Sequence, residues 1–166
     1  MPRISVLIGI YNCAPTLVEA LDSLYAQTYQ DFKIILCEDG STDDTYAVAK
    51  EYAEKHDNIV LLRNEMNMGL NYTLNRCLEH ADTEYCARMD GYDISLPTRF
   101  EKEIKFLDEH PEFAVVSAYL AKYSFGDRNV GGFVFDNHAR SESFAVVEHG
   151  VASAQRTVEG DAYLVC

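Results

Sequence analysis

The sequence predicts an α/β fold, a mostly parallel sheet with helices on both faces. Short continuous apolar runs recur along the first two thirds of the chain, stretches with helical spacing of apolar residues separate them, and several runs end in turns carrying Gly, Asp or Asn. Strands that are apolar without alternation belong to sheets covered on both faces, and parallel neighbours need a crossover of the kind that lies between each pair here. The chain has 166 residues, the size of one domain, with 48% apolar and 25% charged residues, enough to fill a core. Its uninterrupted apolar runs, such as Val6-Leu7-Ile8, fall far short of the ~20 residues a bilayer demands.

The elements follow in order. Ile4 to Ile8 is a buried strand, and Phe32 to Cys37 a second one. Between them Leu17, Leu21 and Leu24 recur at i, i+4 and i+7 behind Pro15, a residue suited to the first helical turn. Ser41-Thr42-Asp43-Asp44 offers a capping hydroxyl and an acid three residues on, before a helix carrying Val48, Ala49 and Tyr52 on one face, with Asp43 and Asp44 as first-turn acids favoured by the helix dipole. The strand Ile59 to Leu62 comes next. A third helix after Gly69 is expected to bury Leu70, Leu74, Cys77 and Leu78, and it leads to the strand Tyr85 to Met89. A fourth starts at Pro97, with Phe100, Ile104 and Leu107 inward, and ends before Phe113 to Val116. Residues 1–118 are thus read as the core. Residues 119–166 break the rhythm: Gly131 to Phe135 reads as a strand after a glycine turn, Phe144 to Val151 has no clear period, and the apolar ending Ala162 to Cys166 raises the expectation of a fragment of a longer protein.

Composition excludes several functions. Twenty-seven acidic residues against fourteen basic ones leave a net charge of −13 with no basic run to offset it, so no nucleic-acid partner is expected. A phosphorylated ligand would need backbone N–H donors or a divalent cation to approach. Five cysteines without C-x-x-C spacing read as small buried hydrophobes rather than a zinc site or a disulfide framework. Met1-Pro2-Arg3 runs straight into the first strand without a signal-peptide pattern, which makes the expected location cytoplasmic. Neither G-x-G-x-x-G nor G-x-x-x-x-G-K-[ST] occurs, against dinucleotide and P-loop readings.

In open α/β sheets ligands bind beyond the carboxyl ends of the strands. Three clusters stand there: Gly9-Ile10-Tyr11-Asn12, Glu38-Asp39-Gly40-Ser41 and Asp90-Gly91-Tyr92-Asp93. Tyr11 offers a flat face for a base, and ionised Asp39 can accept only, from a uracil-like ring N–H or a sugar hydroxyl. Asp90 and Asp93 are hard oxygen donors suited to Mg²⁺ or Mn²⁺, which would stabilise a departing nucleoside diphosphate. Taken singly, each Asp-Gly pair is an ordinary turn former. Parallel neighbouring strands would make the three clusters one site.

The ordered set Ser5 to Asn12, Gln27 to Phe32, Glu38 to Thr45, Arg63-Asn64-Glu65, Asn67 to Leu70, Ala87 to Asp93, Leu96-Pro97 and Arg99-Phe100 resembles the inverting family 2 glycosyltransferases over roughly residues 4 to 118. The resemblance implies a GT-A fold that moves a sugar from a nucleoside-diphosphate sugar, UDP-linked, to a glycan or lipid-linked acceptor in surface polysaccharide synthesis. It also implies peripheral association at the inner face of the cytoplasmic membrane through regions outside this chain. By resemblance Gly9, Tyr11, Asn12, Asp39, Asp90 and Gly91 contact the nucleotide sugar; because Tyr92 takes the place of the second acid, the metal is assigned to Asp93 with Asp90 in support. Gly9 stands where the family commonly has proline, Leu74 where it places an arginine, and Tyr92 at the second acid of D-x-D. No catalytic base is assigned; Glu148, Glu159 and Asp161 are available. Two alternatives stand beside this one. A non-catalytic nucleotide-sugar-binding domain or inactive fragment follows from Tyr92 and the missing base. A nucleotidyltransferase would share the acidic metal chemistry, but no glycine-rich basic loop follows the first strand.

Overall fold

The computed structural model describes residues 1–111, 113 and 115–116, together with the backbone of strands 120–125, 128–135 and 162–164. Their elements run β1 (Ile4–Ile10), α1 (Ala14–Tyr25), β2 (Phe32–Asp39), α2 (Thr45–Ala53), β3 (Ile59–Asn64), α3 (Leu70–Leu78), β4 (Tyr85–Arg88), α4 (Arg99–Glu109), β5 (Val115–Val116), β6 (Leu120–Phe125), β7 (Arg128–Phe135) and β8 (Ala162–Leu164).

The main sheet has the order β3-β2-β1-β4-β8-β5, and every pairing in it is parallel. β1 is central because it is apolar on both faces: Ile4 through Ile8 are all buried. Side chains of a strand alternate between faces. Ile4, Val6, Ile8 and Ile10, with Ile34 and Leu36 of β2, meet Leu17, Leu21 and Leu24 of α1, Ala49 and Tyr52 of α2, and Phe100, Ile104 and Leu107 of α4. Leu7, Ile35 and Cys37 face the other way, onto Cys77 and Leu74 of α3. Among the described residues, helices therefore cover both faces, three on one and one on the other. Each fully buried leucine of α1 contributes ~1.5–3 kcal/mol, so Leu21→Ala would cost ~2–5 kcal/mol once its cavity is included. Cys13, Cys37, Cys77 and Cys86 are buried, as expected of apolar fillers. Among the described residues no helix is long and apolar enough to cross a membrane.

Several local expectations change. Leu70 does not join the α3 core face; it is 45% exposed, and Thr73 takes the buried position beside Cys77. The hydroxyl of Ser41 does not cap α2; it accepts the Asn12 N–H at 3.0 Å instead. Asp43 turns its carboxylate back onto the N–H of Thr45 at 3.0 Å. α4 begins at Arg99 rather than Pro97, whose carbonyl accepts the Thr28 N–H at 2.7 Å. Gly131 and Gly132 lie inside β7, which pairs antiparallel with β6, so they do not form the turn. β8, from the apolar ending, runs between β4 and β5. Phe144 to Val151, and with them Glu148, Glu159 and Asp161, lie outside the described residues.

Candidate functional site

Because β2, β1 and β4 are parallel neighbours, their carboxyl ends share one rim. The turns that leave them are tied to one another. Asn12 has a left-handed backbone (φ +48°), which asparagine tolerates better than most residues. Its Oδ1 accepts the Thr42 N–H at 2.9 Å, and the Cys13 N–H donates to Thr45 Oγ1 at 2.8 Å. Beneath this seam the fully buried Glu38 accepts the N–H of Ser41 and, at 3.1 Å, Nε of Arg63. The Arg63 guanidinium lies 3.9 Å from the centre of the Tyr46 ring. Gly40 has φ +67°, and a Cβ there would stand 2.4 Å from the Met66 backbone, so only glycine lets these two turns pass so closely.

Asp39 ends β2 and is 4% exposed. Its Oδ1 accepts Nδ2 of Asn64 at 2.6 Å and the Met68 N–H at 2.8 Å; its Oδ2 accepts the Gly69 N–H at 2.9 Å. Burial alone would raise its pKa. The donors of Met68, Asn64 and Gly69 outweigh that and hold it below the usual carboxylate value. The ionised carboxylate borders a cleft of about 270 Å³, lined by Gly9, Tyr11, Asp39, Asn67, Gly69 and Leu70 among others. Tyr11 is 45% exposed and offers its ring there. A Cβ at Gly9 would come within 3.1 Å of Leu70 and Thr73, so this glycine lets α3 approach β1. Apolar surfaces around a single anionic acceptor suit a flat heterocycle that carries an N–H.

The turn after β4 stands on the same rim, though its residues do not line the cleft. It is packed tightly against α1: a Cβ at Gly91 would meet Ile10 at 2.8 Å and Cys13 at 2.9 Å, and Thr16 Oγ1 donates to the Gly91 carbonyl at 3.1 Å. Farther along, Gln27 Nε2 donates to Ser95 Oγ at 3.0 Å and to the Leu96 carbonyl at 2.7 Å, and the Ser95 N–H donates to Ser23 Oγ at 3.0 Å. Asp90 accepts Nη2 of Arg88 at both oxygens, 2.9 and 3.1 Å, and the Tyr92 hydroxyl at 3.3 Å. Burial, then the charges of Asp90 and Asp93, push the Tyr92 phenol upward, so it stays protonated and donates. Asp93 is buried at 4% exposure, its N–H donating to the Asp90 carbonyl at 3.1 Å.

A hard divalent cation finds one accessible protein oxygen donor here, the Asp90 carboxylate, whose side chain is 19% exposed. Among the described residues no three His, Cys, Asp or Glu side chains gather around a point. The donor set fits a cation anchored by Asp90 and completed by ligand phosphates, the ordinary habit of Mg²⁺ with nucleotides.

Of the residues singled out from the sequence, Gly9, Tyr11 and Asp39 meet in the cleft. Asn12 braces the turn beside it, and Asp90, Gly91 and Asp93 occupy the adjoining part of the rim. Sequence reasoning passed over Asn64, Thr73 and Arg88 as site residues. The strand-end rule applied to β3 would have found Asn64, and the residue directly before the acidic turn would have led to Arg88.

Residues 5–147 match the family described as Glycosyl transferase family 2. EpsE of Bacillus subtilis (strain 168) is 44% identical over 129 residues, 76% of this chain and 46% of that protein. The UDP-Glc:alpha-D-GlcNAc-diphosphoundecaprenol beta-1,3-glucosyltransferase WfaP of Escherichia coli is 30% identical over 125 residues, 75% of this chain and 49% of its own length. The chain thus spans about half the length of these relatives. The mannosyltransferase PcManGT from Pyrobaculum calidifontis, solved in complex with GDP-Man and Mn2+, aligns with TM-score 0.64 and 27% identity over 74% of this chain and 36% of that one.

Proposed function

Since the chain belongs to glycosyl transferase family 2 and has the GT-A fold, we propose that it binds a nucleoside-diphosphate sugar, UDP-linked, for inverting transfer to a glycan or lipid-linked acceptor in surface polysaccharide synthesis. One observation carries this proposal: Tyr11 and Asp39, twenty-eight positions apart in the chain, border the same cleft on the rim that also bears the acidic turn. WfaP, whose name gives a UDP-glucose donor and a diphosphoundecaprenol-linked acceptor, supports both the donor class and the acceptor class.

The chain's own residues act as follows. Tyr11 stacks on the base, and Asp39 accepts its ring N–H, an exchange in which a charged acceptor strengthens the hydrogen bond. The diphosphate extends along the rim toward Asp90 and Gly91, with Asn12 keeping the first turn in place. When bound, a Mg²⁺ or Mn²⁺ ion would be held by Asp90 together with ligand phosphates and would supply Lewis-acid stabilisation of the departing diphosphate. Arg88 keeps the Asp90 carboxylate aimed along the rim until the ligand arrives. The proton of the acceptor hydroxyl goes to a base that the described residues do not include.

Calorimetric titration of UDP and UDP-sugars with and without Mn²⁺ tests the donor site. Saturable binding of UDP that Asp39→Asn weakens is the expected result; no heat with any nucleoside diphosphate would overturn it. The phenol at position 92 and its bond to Asp90 favour a second reading, nucleotide-sugar binding without catalysis. Product assays on the full-length protein separate the two, since a Tyr92→Asp variant that gains transfer activity has an otherwise competent site.

A further inference from the structure

Behind Asp39 runs a chain of polar groups, of which Arg76 and Asn64 do not line the cleft. Arg76, on the partly buried side of α3, donates through Nη1 to the Arg63 carbonyl of β3 at 2.8 Å and to Oδ1 of Asn64. Asn64 is 3% exposed. Its Nδ2 donates to Asp39 Oδ1 at 2.6 Å and to Thr73 Oγ1 at 3.1 Å, and the Thr73 hydroxyl passes its own proton to the Gly69 carbonyl at 3.0 Å.

The direction of this chain is dictated by chemistry. A guanidinium has donors and no acceptor, so the Asn64 amide must turn its oxygen to Arg76 and its NH₂ to Asp39. Asp39 Oδ1 then carries two donors, from Asn64 and Met68. Oδ2 carries one, from Gly69, and retains acceptor capacity. A carboxylate locked in this way can reward a ring N–H and can only repel a ring nitrogen lone pair.

We propose that Arg76, acting through Asn64, is the positioning residue for base discrimination in this cleft, selecting a base with a ring N–H of the uracil type over one of the cytosine type. This rests on the donor-site reading above. Without Arg76 the Asn64 amide can flip, presenting its oxygen to Asp39 Oδ1; a proton taken up from solvent there is held by Asn64, leaving Oδ2 a neutral carbonyl that rewards a ring N–H less and repels a cytosine-type ring nitrogen less.

The test is the ratio of UDP to CDP affinity, measured by calorimetry on the full chain and its variants, with thermal unfolding as a control for folding. Arg76→Met keeps the aliphatic stem and is expected to lower the UDP preference about tenfold, the scale of a hydrogen bond to a charged group. Arg76→Lys, which still offers only donors to Asn64, is expected to keep most of it. Should Arg76→Met fail to fold, the isosteric Asn64→Asp carries the same test, because two facing carboxylates must share a proton. Equal weakening of both nucleotides, or an unchanged ratio in a folded variant, overturns the proposal and leaves the donor site standing. A wild-type chain that binds neither nucleotide overturns both.

Discussion

Asp39 and Asp90 share one rim of the sheet and one functional group, yet their surroundings divide them. Asp39 is held by neutral donors: the Asn64 amide and the N–H groups of Met68 and Gly69. These dipoles stabilise the ionised carboxylate without cancelling its charge, so it remains a strong acceptor for whatever enters the cleft. Asp90 is held by the Arg88 cation and by a phenol that donates to it. Its charge is already met. The Asp39 end of the rim is therefore complete as folded, whereas on the proposed reading the Asp90 end must exchange a partner before it can take a cation or a diphosphate. In a protein with a net charge of −13, that internal Arg88 also keeps the acidic turn from adding to the repulsion an anionic ligand meets.

The largest effect should come from the complete end. Asp39→Ala removes the anionic acceptor and leaves the buried amide of Asn64 and the part-buried N–H groups of Met68 and Gly69 with their partner gone, at ~1–3 kcal/mol for an unsatisfied buried group. UDP binding is expected to vanish in calorimetry and urea unfolding to show a loss of about 3 kcal/mol. Retention of wild-type affinity would show that the cleft is not where the base sits. Tyr92→Asp probes the other end. It restores a hard oxygen beside Asp90 and removes the hydroxyl that donates to it, so Mn²⁺ should strengthen UDP binding by about tenfold more in the variant than in the wild type, as expected for one added charged ligand. Identical titrations in EDTA and Mn²⁺ for both proteins would exclude the acidic turn from ligand binding.

The two ends were also unequally legible. Strand-end position and residue type were enough to bring Tyr11 and Asp39 to one cleft, because the parallel order of continuous apolar strands leaves few places for them to go. The helices followed from leucine spacing, as α1 and α4 illustrate. What pattern could not supply was the partner of each polar side chain. Ser41 looked like a cap and became an acceptor for Asn12, since a left-handed residue in the neighbouring turn presented its N–H first. Leu70 looked like core by its spacing and lies at the lip of the cleft, because the first turn of α3 projects past the edge of the sheet's covered face. Arg88 two residues before Asp90 is invisible to any period of hydrophobicity, and its role emerges only when the chain bends after β4 and brings guanidinium and carboxylate together.

A smaller effect is expected at the seam that supports the first turn. Asn12→Ala deletes the acceptor for the Thr42 N–H and places a residue without a polar side chain in a left-handed backbone. Thr42 is exposed, so water replaces the lost partner and stability falls by only ~1 kcal/mol. If the seam sets the pose of Tyr11, UDP affinity drops severalfold while the UDP to CDP ratio stays as in the wild type, which separates this brace from the Arg76 chain.

The smallest effect lies at the amino ends of β1 and β4, where a third carboxylate repeats the Arg88–Asp90 arrangement in the open. Asp108 accepts from Arg3 at 2.8 and 3.0 Å and from the Tyr85 hydroxyl at 2.7 Å. The Arg3 hydrogen bond first, then that of Tyr85, hold its carboxyl below the usual value. A carboxylate depressed on folding contributes stability that is present above its unfolded pKa of ~4 and is lost as pH falls through the folded one. Arg3→Met should therefore destabilise the protein near neutral pH, and the difference from wild type should shrink as the medium is acidified below pH ~4. Both partners are partly exposed, with side chains 33% and 42% accessible, so solvent screening holds the effect under about 1 kcal/mol. Urea midpoints of the two proteins at neutral and acidic pH measure it. A gap that stays the same on acidification would mean that Arg3 stabilises the fold through its stacking on Tyr85, at 5.1 Å, rather than through its pairing with Asp108.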